Sequence, residues 1–417
     1  MRNYVFEVWR RVAHRYGFVE WEGPTLESTD LYRRKSGDEI QSQLFCFVDK
    51  GERDVSLRPE LTPTLARLVT ARHRDFKKPL KWFQIGSCFR YEAPQKGRLR
   101  EFYQLNCDVL GEAGVEADAE LIAMGIDMLR SLGLTSEDVA VRISDRRIWT
   151  EWMEREKIDP EQTGAFLQII DKWERERPEK LDEKLAAVGT TRAAVAAFME
   201  EMKGGGSVFA PLLESLKARG LAEFVRIDPG IVRGLAYYTG AVFEFFSLKA
   251  GMRAVAGGGR YDGLCSLMSG GSVDMAAAGF GMGDVVLTDL ITATPAATAR
   301  LEAWLAQRFS VDAFIVVADE TRRPEALALL QALRNAGLSA DYAMAPAKVG
   351  KQFQAAENVG ARYALIVGTE YPVLKVKHLA TRSEVEFSDN AEVFKLLAKD
   401  TIPSAHQSAA RTEIGNG

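Results

Sequence analysis

Arg90 and Arg100 bracket a short segment, FRYEAPQKGRLR, in which Lys96 and Arg98 add two more cations and Glu92 a carboxylate. If the flanking segments are neighbouring antiparallel strands, these groups converge. A planar guanidinium fork then holds two oxygens of one phosphate at once. The spacing suits a phosphorylated ligand, with Glu92 available to a donor such as an exocyclic amine or to a metal. Taken alone, the stretch also has a plainer reading as a solvated basic hairpin, because charge runs usually face water.

Three further stretches bear on that choice. VRGLAYYTG sets Arg233 ahead of Tyr237 and Tyr238 in a segment that otherwise has the character of a buried strand, where an arginine must find an anion. AVAGGGRYDGL offers three glycines where backbone can approach a ligand closely, followed by Arg260 and Tyr261. A tight turn would explain those glycines as well. LRPELTPTL places Glu60 at a strand end, with Thr62 beside it and Pro63 opening a helix.

The elements that must position these groups follow from periodicity. Val5, Val8, Trp9, Val12 and Tyr16 recur at helical spacing, and FVEWEGP reads as a short strand stopped by Pro24. LFCFVDKGERDVSLRPE predicts a hairpin and PTLARLVTARHR a helix. LKWFQIGSCFRYEA and LREFYQLNCDVLG are strand-like, so the arginines above sit at the basic tip of an antiparallel hairpin. Residues 146–222 change character: charged, alanine-rich and broken by GGG at 204–206, they predict a helical insertion. Strand chemistry resumes in GLAYYTGAVFEFF and RAVAGGGRYDGL. After a Pro and Thr-rich boundary and a helix, the chain alternates strand and helix from DAFIVVA to RYALIVG, which predicts a small α/β layer domain with a largely parallel sheet.

Whole-chain numbers bound the possibilities. At 417 residues two or three domains are expected, and 47% hydrophobic with 27% charged residues fits a globular chain. The net charge of -4 excludes blanket electrostatic binding of nucleic acid, so any polyanion contact must be a local patch. Cys46, Cys88, Cys107 and Cys265 lie far apart without zinc spacing, which suggests no metal site and fits a reducing cytoplasm. No apolar run reaches membrane-span length. The opening helix begins almost at Met1, so a few residues upstream are expected to be missing from this chain.

The order LRPELTP, FRYEAPQKGRLREFYQLNCDVLG, VRGLAYYTGAVFE, GGGRYDGL and GFGMGD resembles the histidyl-tRNA synthetases, a family of class II aminoacyl-tRNA synthetases, across nearly the whole chain. The segments beginning at Arg233 and ending in RYDG resemble the two histidine-specific signatures of that family. The resemblance implies an α+β catalytic domain over 1–300 with a six-stranded antiparallel sheet, interrupted by the helical insertion at 146–222. It further implies an α/β anticodon-binding domain over 311–400 and a polar tail at 401–417. A homodimer is implied, with the opening helix and the strand ending at Pro24 as the dimer-forming motif.

By the same resemblance the substrates are L-histidine, ATP carrying Mg²⁺, and tRNA(His). Arg233 is implied as the catalytic arginine at the pentacovalent phosphorus, and Arg90 as the residue holding the α-phosphate and the carboxylate under activation. Glu92 would lie near adenine, Arg98 and Arg260 would share the outer phosphates, and Gln95 and Lys96 would meet the first base pair of the tRNA. Glu60, Thr62 and Gln104 would hold the α-amino group, with Tyr237, Tyr238, Tyr261 and Asp108 around the imidazole. Lys348 and Lys351 match the anticodon-domain helix, and ordinary surface lysines explain them as well. Four positions depart from the family pattern: Ala236 and Ala93 replace polar residues, Asp108 stands for glutamate, and Val286 stands where an arginine usually covers adenine. A synthetase-like regulatory paralogue of histidine biosynthesis is the alternative reading, and a proline or threonine enzyme fits the fold but not the signatures.

Overall fold

Alternation decides the centre of the fold. Along 101–110 the side chains of Gln104, Asn106 and Asp108 fall on one face, while Leu105, Cys107 and Val109 fall on the other and are buried. In the computed structural model, which describes residues 1–33, 42–93, 97–233, 237–249 and 254–399, this stretch is a central strand of a large sheet. The chain divides into two units, Met1–Leu301 and Glu302–Gly417.

The strands of the first unit, in chain order, are β1 (Val19–Glu20), β2 (Leu26–Ser28), β3 (Phe45–Val48), β4 (Asp54–Leu57), β5 (Leu80–Phe89), β6 (Glu101–Leu110), β7 (Val139–Asp145), β8 (Val225–Ile227), β9 (Ala241–Ser247), β10 (Ala254–Arg260) and β11 (Ala277–Gly283). Eight of them form one sheet in the order β1-β5-β6-β11-β10-β9-β7-β8. The expectation of six strands is therefore corrected to eight. From β5 to β7 every pairing is antiparallel, whereas β1 and β8 add in parallel at the two edges. Those edge strands span two and three residues, too short to carry a period in sequence. The β5–β6 hairpin runs in register from Leu80 opposite Leu110 to Phe89 opposite Glu101, which puts Arg90 and Arg100 together at its tip. Strands β2, β4 and β3 form a separate small sheet.

Helix Val115–Ser131 packs beneath the sheet and is buried on nearly all sides, with every residue from Leu121 to Ile126 covered. Between β7 and β8 the chain is helical: Arg146–Arg155, Thr163–Asp171, Pro178–Ala187, Arg192–Lys203 and Ala210–Ala218. Its own kernel is aromatic, with Trp149, Trp152, Phe166 and Phe198 in mutual ring contact. Asp145 caps the first of these helices by accepting from the backbone N–H of Arg147, and Thr191 caps the fourth.

The second unit carries β12 (Ala313–Val317), β13 (Ala340–Tyr342), β14 (Tyr363–Val367), β15 (Leu374–His378) and β16 (Glu384–Phe387) in the order β13-β12-β14-β15-β16. Only the β13-β12-β14 half is parallel, and β15 and β16 add antiparallel, so the sheet is mixed rather than largely parallel. Ile315, Val317, Leu365 and Val367 face helices Arg323–Asn335 and Asn390–Lys399, while Phe314 and Val316 face helix Val349–Asn358. Coverage on both faces explains why every residue of β12 is buried. Among the described residues no helix is long and apolar enough to cross a membrane.

Candidate active site

One row across the large sheet makes the floor of a cleft of about 1110 Å³. Reading from β6 to β7, the cross-strand partners are Asn106, Gly281, Gly257, Glu244 and Arg142, and all five line the cleft. The two central positions have no side chain, so space opens there while polar groups stand on either side. A Cβ on Gly257 would collide with the Arg233 guanidinium, and one on Gly281 with the Gln104 amide. The helical insertion supplies part of the rim through Ile170, Trp173, Met199 and Lys203.

Arg233 does not lie in a strand, which corrects the reading of its segment. It sits in the loop before β9, with φ 59, a left-handed conformation that costs a non-glycine residue about 1 kcal/mol or more and is held by surrounding contacts. Arg146, the first residue of the insertion, is one such contact. Its guanidinium donates to the carbonyls of Val232 (2.9 Å), Arg233 (2.7 Å) and Tyr238 (2.9 Å). The Arg233 guanidinium pairs with Glu244, while its Nε–H is buried without an acceptor among the described residues. Burial works against the Arg233 charge, and the Glu244 carboxylate more than offsets it, so the pKa lies above the ordinary arginine value.

Opposite this arginine, Arg90 at the end of β5 donates from Nε to the Pro59 carbonyl at 3.0 Å, and its guanidinium lies over the Phe102 ring at 5.2 Å. Arg98 Nη1 donates to Glu92 Oε2 at 2.6 Å. Glu60, 4% exposed, accepts from the Tyr237 hydroxyl at Oε2 (2.9 Å) and leaves Oε1 without a hydrogen bond among the described residues. Asn106 accepts from Gln104 Nε2 (2.7 Å) and donates to Thr62 Oγ1 (3.0 Å), linking the three. At the inner end the Tyr261 hydroxyl donates to Asp108 Oδ1 at 2.5 Å. Burial, and then Asp108, pushes the Tyr261 hydroxyl well above its usual pKa, and burial with Glu60 does the same for Tyr237. Both hydroxyls therefore keep their protons at neutral pH. Tyr238 and Tyr261 are anchored in a core with Leu65, Val69, Val242 and Leu264.

The cleft thus gathers Glu60, Thr62, Arg90, Glu92, Arg98, Gln104, Arg233, Tyr237, Tyr238 and Tyr261, with Asp108 behind Tyr261. It does not gather Arg260. Three residues beyond Gly257, that side chain falls on the opposite face of β10. There it donates to Asp118 Oδ2 (2.7 Å) and to the carbonyls of Glu112 (3.1 Å) and Gly114 (3.0 Å), so it serves packing rather than outer phosphates. Val286 lines the cleft at the start of helix Asp284–Thr292. Gln95, Lys96 and Ala236 lie outside the described residues. Lys348 and Lys351 are exposed in the second unit. Asn106, Phe102, Glu244, Arg142 and Arg146 were not singled out by motif. Period-two alternation through 102, 104, 106 and 108 marks Phe102 and Asn106, and Glu244 is a lone carboxylate in the aromatic run AVFEFF.

A mainly antiparallel sheet whose hairpin arginine shares a glycine-floored cleft with a second arginine is the catalytic architecture of the class II aminoacyl-tRNA synthetases. The family model described as Histidyl-tRNA synthetase matches residues 3–283, and that described as Anticodon binding domain matches residues 312–399. Histidine–tRNA ligases of Opitutus terrae and Arabidopsis thaliana (the chloroplastic/mitochondrial form) are 40% and 36% identical, covering 92% and 93% of this chain and 92% and 82% of their own lengths. The chain belongs to the histidyl-tRNA synthetase family. Among solved structures, a histidyl-tRNA synthetase from a Nostoc species aligns with a TM-score of 0.72 at 23% identity, covering 95% of both chains. A Bacillus halodurans structure titled ATP phosphoribosyltransferase regulatory subunit/histidyl-tRNA synthetase aligns at 0.62 and 23%, covering 82% of this chain and 87% of its own. At those identities the likeness concerns the fold.

Proposed function

We propose that this chain is a histidine–tRNA ligase, which joins L-histidine to ATP and then passes the histidyl group to tRNA(His). The observation that carries the reading is the meeting of Arg90 and Arg233 in one cleft with the open carboxylate oxygen of Glu60. In the first step a histidine carboxylate oxygen bonds to the α-phosphorus and the bond to the β-phosphate oxygen breaks, releasing pyrophosphate. Two anions must approach each other, so alignment and charge compensation dominate. Arg90 and Arg233 supply the compensation, while Glu60 Oε1 accepts the α-ammonium group. In the second step the terminal hydroxyl of the tRNA attacks the histidyl carbonyl carbon and AMP leaves.

The pair of Tyr261 and Asp108 faces the imidazole, and rejection of apolar amino acids comes from leaving those buried groups unpaired. Phe102 and Val286 offer apolar surface to the base, and Arg98 reaches the outer phosphates. Mg²⁺ enters with ATP as part of the substrate. Among the described residues no three His, Cys, Asp or Glu side chains gather as a metal site of their own. Gln95 and Lys96 are assigned to the acceptor end of the tRNA.

A homodimer is part of the proposal. The exposed apolar side chains Val19, Leu26, Phe47 and Val48 around the β1 and β2–β4 region support it, and light scattering at the monomer mass would remove it. The free thiols of all four cysteines fit a cytoplasmic enzyme. The regulatory alternative is disfavoured by the retained cleft residues and by the match to an anticodon-binding domain over 312–399.

Histidine-dependent exchange of labelled pyrophosphate into ATP, together with charging of tRNA(His), tests the reading. Deleting residues 311–417 is expected to abolish most charging while exchange persists. Absence of exchange in the intact chain would favour the regulator. Gly257→Ala is expected to slow exchange by about 10-fold or more, because the added methyl displaces the Arg233 guanidinium. An unchanged rate in that variant would mean the guanidinium does not need its present seat.

A further inference from the structure

We propose that Glu244 is a positioning residue for adenylate formation, fixing one end of the Arg233 guanidinium so that its remaining donors face the reacting phosphorus. The inference rests on the reading of the cleft as an amino-acid-activating site.

Register carries the argument. Glu244 on β9 stands opposite Gly257 on β10 and opposite Arg142 on β7. On the β10 side the guanidinium of Arg233 lies over the bare Gly257 backbone, and its Nη1 meets Glu244 Oε1. On the β7 side Arg142 is committed elsewhere: to Asp228 Oδ2 (3.2 Å), to Glu174 Oε1 (3.4 Å) and to the Phe246 ring (4.3 Å). Glu244 is thus directed to Arg233 and not to its cross-strand arginine. Arg233 needs such a partner, since it stands on a loop in left-handed backbone and no strand register sets the direction of its long side chain.

The carboxylate holds Nη1 and leaves the Nε–H without an acceptor among the described residues. An anion in the cleft meets the guanidinium already aimed, which removes reorganisation from the reaction step. There is an opposing electrostatic effect, because a fixed negative charge in the cleft repels a triphosphate. Orientation and repulsion therefore act on different kinetic constants, and Glu244→Gln separates them.

The experiment uses the full chain and pyrophosphate exchange. Glu244→Gln is expected to lower kcat by about 10-fold or more, while KM for ATP stays level or falls, with a lowered unfolding temperature because the Arg233 charge loses its counter-ion. In an Arg233→Ala background the same substitution is expected to add no further loss, since the carboxylate acts through that arginine. An unchanged kcat in Glu244→Gln, or an equal extra loss in the Arg233→Ala background, would overturn the proposal. So would intact kcat with a raised KM for ATP and a lowered unfolding temperature, the pattern of a residue needed only for packing. If the unaltered chain shows no exchange, the reading of the cleft fails and the role of Glu244 falls with it, whereas normal exchange in the unaltered chain with an unchanged kcat in Glu244→Gln overturns the role alone.

Discussion

Arg233→Ala is expected to lower histidine-dependent pyrophosphate exchange by about 10²- to 10³-fold, the usual effect of removing one preorganised donor from a developing charge. The KM for histidine is expected to change far less. Arg233 is partly buried, charged and balanced by Glu244, so it enters the reaction with its orientation set. Such a group contributes chiefly where new negative charge appears, at the pentacovalent phosphorus, and contributes little to holding the amino acid beforehand. Removing it also leaves Glu244 facing the cleft alone, which adds repulsion to the lost attraction. Near-normal exchange in this variant would strip Arg233 of its assigned role, and initial-rate measurements at saturating ATP decide it.

Asp108→Ala is expected to raise the KM for histidine by about 10- to 100-fold, the range for leaving a buried polar group without its hydrogen-bond partner. Asp108 is fully buried and orients Tyr261 by accepting its hydroxyl proton. Without that acceptor the hydroxyl is free to turn, and the pocket loses a defined donor direction. Asp108 is shorter than the glutamate common at this place in the family, and the Tyr261 hydroxyl bridges the distance to the cleft. An unchanged KM would mean that the imidazole is recognised elsewhere and that the inner end of the cleft has another use.

Local chemistry made one part of this site readable in sequence. The hairpin tip with Arg90, Glu92 and Arg98 follows from two alternating strands and the turn between them, all within thirty or so residues, and period two alone assigns Gln104 and Asp108 to one face. What escaped reading depends on which strands become neighbours. Arg260 looks identical in kind to the other arginines, and only the count of positions from Gly257 along β10 sends it to Asp118 on the far side. Helix Val115–Ser131 has the spacing of a buried helix, but nothing in it says that it lies beneath that strand. Glu244 becomes meaningful only when β9 is seen beside β10, and Arg146 only when a residue that opens the insertion is found holding carbonyls 86 to 92 positions away. The edge strands β1 and β8, of two and three residues, are set by their longer neighbours rather than by their own composition.

The helical tract leaves the sheet at the end of β7 and rejoins it in β8, a parallel neighbour whose Val225 stands opposite Val141. Parallel neighbours always require a long detour, so the detour's size is decoupled from the floor beneath it. Turns of helix can be spliced in or trimmed around the tryptophan kernel to suit a bulkier or slimmer visitor, with no β-strand shifting register. The departure point resists such tailoring, because Arg146 there is stitched to the loop that bears Arg233, and so does the return, where Arg219 pairs with Glu116 and Glu120 of helix Val115–Ser131.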